Sequence, residues 1–373
     1  MVVVVTGIGL RSCLGNLALS WQHLLAGQSG IKAHHLFSEM PPLPLGLIGS
    51  APTRLSPLTQ ELVSAALEDA NLTPPLRDCG VVIGSSRSCQ AEWEQLASQA
   101  SSPRKFNWLD TLPHQAAVAT ARQIGATGTV LAPMAACATG IWALAQGREL
   151  IDQSQYQRVV VGAIEAPTTR LTLTGFKQMG ALATTGCYPF DREREGLVLG
   201  EGGAVFVLES ASIALSRGAF IYGKIGGVGL SCDAYHISAP EPSSHSAASA
   251  IYQCLANSRW SAKEVDYIHA HGTGTQLNDY REAQLIQKLF GPTVPTSSTK
   301  GATGHTLGAS GALGTAFSLM ALKEQRLPPC VGLRQPEFDL NFVRPLSQTR
   351  LRRVLSFNFG FGGQNAVIAL ETL

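Results

Sequence analysis

Short runs that are apolar at nearly every position, rather than at every second one, recur along the chain at residues 2–6, 80–84, 158–162 and 204–208. They return at 220–230, 267–270, 354–357 and 366–370. A strand with one face in water alternates apolar and polar residues, so these strands need cover on both faces. Residues 57–70, 138–151, 247–256, 279–289 and 309–323 have the spacing or the Ala/Leu content of helices that could supply that cover. Residues 130–136 read as another strand, running directly into Cys137. This alternation predicts an α/β chain of two similar halves, 1–218 and 219–373, with the change near Ser216–Ala219.

Composition excludes several classes. The chain is 45% hydrophobic and only 14% charged, which leaves no room for a long disordered tail. A formal net charge of +2 is too small to argue for nucleic acid. No apolar run approaches the roughly 18–20 residues that cross a bilayer. The opening MVVVVTGIGL lacks a basic region and a cleavage site, so it reads as a first strand, and the chain is expected to stay in the cytoplasm.

The eight cysteines include no C-x-x-C pair and fit no zinc spacing. Most are expected to be reduced, buried and inert. Glycines gather at 196–203, 301–314 and 360–363, where backbone can approach backbone or ligand. A phosphate loop is excluded because Lys300 precedes its glycines.

Three segments carry chemistry. APMAACATGIWALAQG places Cys137 where a strand ends and a helix begins, with Ala136, Ala138 and Gly140 leaving space around it. The positive end of that helix is expected to stabilise its thiolate. In YIHAHGTGT, His269 and His271 stand two apart on a strand that runs out into a glycine loop. No third ligand lies at a familiar metal spacing, which leaves a general acid/base role as the other reading. SSTKGATGHTLG brings Lys300 and His305 onto a loop before a small-residue helix. One histidine alone is more often structural than catalytic. A cysteine with two loop histidines at strand ends suggests a thiol nucleophile facing imidazole donors.

ACATG, HAHGTGT, SSTKGATGHTLGASGA and SFNFGFGGQNA stand in the order and spacing of β-ketoacyl-[acyl-carrier-protein] synthases of the KAS I/II type. DREREGLVLGEGGA and SCDAYHISAP resemble the motifs between them, so the likeness runs over essentially the whole chain. It implies the thiolase-like five-layered αβαβα fold and an acyltransferase that joins an acyl thioester to a malonyl thioester with loss of carbon dioxide. Cys137 would carry the acyl chain, and His271 and His305 would hold the malonyl carbonyl. Lys300 would stiffen and charge the site. The N–H groups of Cys137 and Phe359 would form an oxyanion hole, with Phe359 as an aromatic gate and Phe361 against the substrate. Thr273 and Thr275 would bond the pantetheine arm, while Asp279, Glu282 and Glu201 would hold structure.

The resemblance further implies an acyl carrier protein as partner, docked on Arg104, Lys105 and Arg194. It implies no metal and no cofactor beyond the carrier's phosphopantetheine. The working form would be a homodimer, or a heterodimer with a paralogue.

The sequence departs from that family in three places. Gly314 stands where relatives carry a Glu nine residues after His305 that helps to hold the lysine. The basic cluster before the first long helix is reduced to Arg54. Arg87 falls in a stretch that is apolar in relatives and lines the acyl tunnel, so it is expected to shorten that tunnel or to meet a polar group. The chain is also roughly 40 residues shorter than typical relatives. Two other readings fit parts of the pattern: a non-catalytic partner that sets chain length in a heterodimer, and a coenzyme-A-dependent thiolase. The first usually lacks the cysteine retained here, and the second needs a further cysteine that SFNFGFGGQNA does not contain.

Overall fold

The structure, a computed structural model, describes residues 1–98, 108–344 and 347–373. Its main sheet runs, edge to edge, through Thr296–Ser297, Tyr267–His269, Arg353–Gly360, Gln364–Glu371 and Gly223–Cys232, then Val3–Ser12, Gly202–Ser210, Arg158–Glu165, Gly80–Gly84 and Val130–Leu131. Within each set of five, the strands in chain order lie as 3-2-4-5-1 from the outer edge inwards. In each set the fifth strand is antiparallel to its neighbours and the outer three are parallel. The sets meet where Val3–Val5 pair antiparallel with Gly223–Ile225.

The apolar strands are explained by what covers them. Val159, Val161 and Ala163 point into a central core, while Val160 and Ile164 point the other way into an outer one. That outer core holds the helices Leu55–Asp69 and Gln115–Ile124. On the far side, Ile268, Leu355, Phe357 and Val367 pack against His245–Ser258 and Gln276–Phe290. Between the sheets lie the helices Thr139–Asp152 and Ser310–Glu324. Five layers result, α-β-α-β-α, as the resemblance implies. Burying side chains such as Ile141 and Phe317 in the middle layer contributes roughly 1.5–3 kcal/mol each.

The two central helices touch backbone to backbone. A Cβ at Gly140 would stand 2.4 Å from the Ala312 amide nitrogen, so only glycine permits the approach. The contact brings the helix that follows Cys137 beside the helix that follows His305.

The expected strand 130–136 is a correction: only Val130–Leu131 pairs in the sheet. Thr139 pulls the remainder into a turn, its Oγ1 accepting from Ala135 N at 2.8 Å and donating to Ala136 O at 2.7 Å. Among the described residues, no helix is long and apolar enough to cross a membrane.

Candidate active site

Cys137 sits on a bend. Ala136 before it has a φ of +46°, a left-handed conformation that side-chain-bearing residues rarely adopt, and the helix Thr139–Asp152 starts two residues later. The bend turns the thiol out of the sheet into a cavity of about 320 Å³. Of the eight cysteines, Cys137 alone lines it. His271, His305, Phe359 and Phe361 share that lining, with Thr273 and Thr275.

Glycine also lets a second segment close on the cysteine. A Cβ at Gly360 would lie 3.0 Å from both Cys137 N and Ala135 O. The Phe361 backbone N–H reaches the Cys137 sulfur. The Phe359 ring stands edge-on to His271, with centroids 6.0 Å apart. Phe361 leans on Phe176 at 6.1 Å.

Buried carboxylates hold the glycine loop after Tyr267–His269. Glu282, nearly two turns into the helix Gln276–Phe290, accepts from His271 N at 2.6 Å and Gly272 N at 2.7 Å. Asp279 accepts from Thr273 N at 3.0 Å and Phe190 N at 2.7 Å. Glu201 accepts from Thr53 N at 3.0 Å, so all three acids have the structural bonding expected of them. Thr273 and Thr275 bond each other through their hydroxyls at 2.9 Å in the cavity wall.

His305 is fixed by its neighbours. Its N–H donates to Val198 O at 2.7 Å and its carbonyl accepts from Gly200 N at 3.0 Å. Leu307 N–H donates to His305 Nδ1 at 3.2 Å, so Nδ1 is an acceptor and Nε2 carries the proton. Ser310 Oγ lies 2.8 Å from the same Nδ1. Lys300 Nζ lies 3.4 Å from His271 Nδ1 and donates to the His271 carbonyl, which gives that ring the same tautomer. Both imidazoles therefore carry their proton on Nε2, and the Asn358 side chain also meets the His271 ring.

Burial, with Lys300 adding to it, holds His271 and His305 well below the usual histidine range, so both are neutral. Burial also lowers Lys300, and Glu282 opposes that most strongly. Glu282 is itself pushed up to about 7 by burial. Burial pushes the Cys137 thiol up to about 11, although the Lys300 charge pulls the other way. Burial therefore prevails, and the thiol rests protonated.

The remaining candidates are spread out. The Arg87 guanidinium lies over the Phe176 ring at 5.9 Å, and its Nε is buried without a partner. Phe176, not Arg87, forms the cavity lining there. Glu165 fixes the loop by accepting from Ser85 Oγ at 3.1 Å and Arg87 N at 3.3 Å. Arg194 is 2% exposed, so it offers no charge to a docking partner. Its guanidinium donates to Asp191 O, Thr275 O, Gln276 O and Glu337, and lies 5.0 Å over Phe338. Arg104 and Lys105 lie outside the described residues.

Sequence reasoning missed Phe176 and Ser310. Ser310 had a signal, a hydroxyl at the first position of the helix five residues after His305; Phe176, in the unread helix Arg170–Gln178, had none.

The comparisons with known proteins agree with this geometry. Residues 53–214 match the family profile "Beta-ketoacyl synthase, N-terminal domain", and residues 222–334 match "Beta-ketoacyl synthase, C-terminal domain". The 3-oxoacyl-[acyl-carrier-protein] synthase 2 of Staphylococcus aureus (strain N315) is 32% identical, over 99% of this chain and 98% of its own. A type II polyketide ketosynthase, solved with its acyl-carrier protein and bound to a hexaketide, superposes with a TM-score of 0.92 at 26% identity, covering 100% of this chain and 99% of that one. The ishigamide ketosynthase/chain length factor gives 0.92 at 27% identity with the same coverage. With the motifs and the site in agreement, the chain belongs to the β-ketoacyl-[acyl-carrier-protein] synthase family of the thiolase-like superfamily.

Proposed function

We propose that Cys137, His271 and His305 carry a decarboxylative Claisen condensation between two carrier-bound thioesters. The Cys137 sulfur attacks the acyl thioester, and the departing pantetheine thiol takes the proton that Cys137 loses. The N–H groups of Cys137 and Phe359 stabilise the tetrahedral oxyanion. Malonyl thioester then loses carbon dioxide, and the electron pair moves onto its thioester oxygen, where the Nε2–H groups of His271 and His305 donate. The enolate carbon attacks the acyl-Cys carbonyl, the C–S bond breaks, and the Cys137 thiolate regains a proton from solvent. The product is a 3-oxoacyl thioester.

One observation carries this reading: a single cavity is lined by one cysteine, Cys137, and by two neutral imidazoles protonated at Nε2. Preorganised donors of this kind in a water-poor site are worth several kcal/mol towards an enolate. The chemistry requires no metal or cofactor beyond the phosphopantetheine on the carrier. Thr273 and Thr275 would bond that arm, Phe359 and Phe361 would gate the nucleophile, and Lys300 would stiffen the His271 side.

The acyl carrier protein is the proposed partner, supported by the ketosynthase neighbour solved with its own carrier. The assembly is proposed as a homodimer, or as a heterodimer with a paralogue, in the cytoplasm. The ketosynthase/chain length factor neighbour supports the heterodimer. Within it, the intact Cys137 site favours the catalytic role over the chain-length role. A thiolase role is disfavoured by Cys330, which is buried outside the cavity and pushed up to about 12 by burial.

The test supplies acyl and malonyl carriers together and follows both products. Carbon dioxide and 3-oxoacyl carrier should appear in equal amounts. An intact protein that releases neither, with or without a co-purified paralogue, would refute the reading.

A further inference from the structure

Gly314 lies in the buried helix Ser310–Glu324, and the face it leaves bare is occupied. A Cβ at Gly314 would stand 2.8 Å from His269 Cε1, 2.9 Å from His269 Nδ1 and 3.1 Å from Ser356 Oγ. Real Cβ atoms do not approach that closely, so a side chain at 314 and the His269 ring exclude each other. His269 Nδ1 and Ser356 Oγ are both buried without partners, and they flank the position from which a carboxylate at 314 would have projected.

The other edge of the ring leads into the active site. His269 Nε2 is 3.1 Å from Thr299 Oγ1. Thr299 is the residue on which the turn Lys300–Thr303 starts, and its carbonyl accepts from Ala302 N and Thr303 N at 3.0 Å each. Lys300 Nζ in turn lies 3.4 Å from His271 Nδ1 and bonds the His271 carbonyl. A continuous set of contacts therefore joins Gly314, His269, Thr299, Lys300 and His271.

We propose that His269 is a positioning residue for Lys300 and His271, acting through Thr299, and that Gly314 is required because it makes room for the ring. The inference rests on the condensation reading above, and it adds a residue that the reaction itself does not need to touch. His269 is held neutral, pushed down to about 3 by burial and by the nearby Lys300, so the ring orients the lysine without supplying a negative charge. A neutral ring can fix a turn by packing and one hydrogen bond. It cannot neutralise an ammonium.

The experiment measures malonyl-carrier decarboxylation and acyl loading of Cys137 separately, in the full chain and in His269→Ala, His269→Gln and Gly314→Ala. Decarboxylation by the unaltered chain checks the condensation reading first, so failure there is distinct from failure of the present inference. His269→Ala should lose roughly ten- to a hundredfold in decarboxylation, the scale of a sub-ångström to 1 Å misplacement, while loading stays within about twofold. His269→Gln, whose amide reaches the Thr299 hydroxyl, should recover most of the loss. Gly314→Ala should lose decarboxylation in the same way by displacing the ring. The inference is overturned if His269→Ala decarboxylates at the unaltered rate, if Gln restores nothing while melting at the unaltered temperature, or if loading and decarboxylation fall together. Should Ala unfold the chain, the Gln and Gly314→Ala variants carry the same decision.

Discussion

The rings of His271 and His305 stand edge to face, with centroids 5.3 Å apart and planes at 83°. Each is neutral, and each has its Nδ1 engaged by a different neighbour, Lys300 in one case and Leu307 with Ser310 in the other. Two donors held by separate scaffolds can converge on one oxygen without reorganising when charge develops there. Removing one should weaken enolate stabilisation and leave thiol chemistry intact.

His305→Ala is accordingly expected to lower malonyl decarboxylation by about 10²–10³-fold, the usual cost of one oxyanion donor. Acyl transfer to Cys137 should persist. Rapid-quench measurement of carbon dioxide and of acyl-protein separates the two steps, and an unchanged carbon dioxide rate would remove His305 from the mechanism.

The raised thiol makes a pH prediction. With Cys137 near 11, the thiolate fraction between pH 7 and pH 9 should grow about tenfold per unit without levelling. Iodoacetamide labelling of the Cys137 peptide should follow that slope in the unloaded protein. Because the Lys300 charge favours the thiolate, Lys300→Met should push the thiol higher still and slow labelling at every pH in the window. A plateau near pH 7 would mean that the helix start outweighs burial after all.

Arg194→Ala should act on stability and not on carrier binding. It removes the charged donors to the Asp191, Thr275 and Gln276 carbonyls and to Glu337, at a cost of about 1–3 kcal/mol. A lower melting temperature with an unchanged carrier dissociation constant is expected. A weakened carrier interaction in a variant that melts normally would restore the docking role.

Arg87 presses on Phe176, which lines the cavity of the nucleophile. Arg87→Ile removes a guanidinium whose buried Nε has no partner and lets that ring retreat, so the distribution of accepted acyl chains should move towards greater length. Competition among acyl carriers of graded length reads this directly, and an identical distribution would contradict it.

Much of the site was legible because its residues lie in short local motifs. ACATG, HAHGTGT and the segment around His305 each carry their own turn chemistry, and the apolar strands announced a sheet covered on both sides. What stayed hidden depends on residues far apart in the chain. Arg194 reads as a docking charge, but nothing local reveals that Glu337 and the Thr275–Gln276 carbonyls enclose it. The helix start argued for a thiolate at Cys137, yet Leu173, Phe176, Leu199 and Leu307 pack around it, and their desolvation prevails. Phe359 and Phe361 are two residues apart in one glycine-rich stretch. Which amide meets the sulfur is decided by the turn at Gly360–Gly363, where Gly362 and Gly363 have φ of 76° and 74°.

Intact-mass analysis after incubation with an acyl carrier alone, followed by peptide mapping, tests the central assignment most directly. One acyl group should appear on the peptide containing Cys137, and none should appear in Cys137→Ser. Acyl mass on any other residue, or a Cys137→Ser protein that loads as fully as the unaltered chain, would contradict the account.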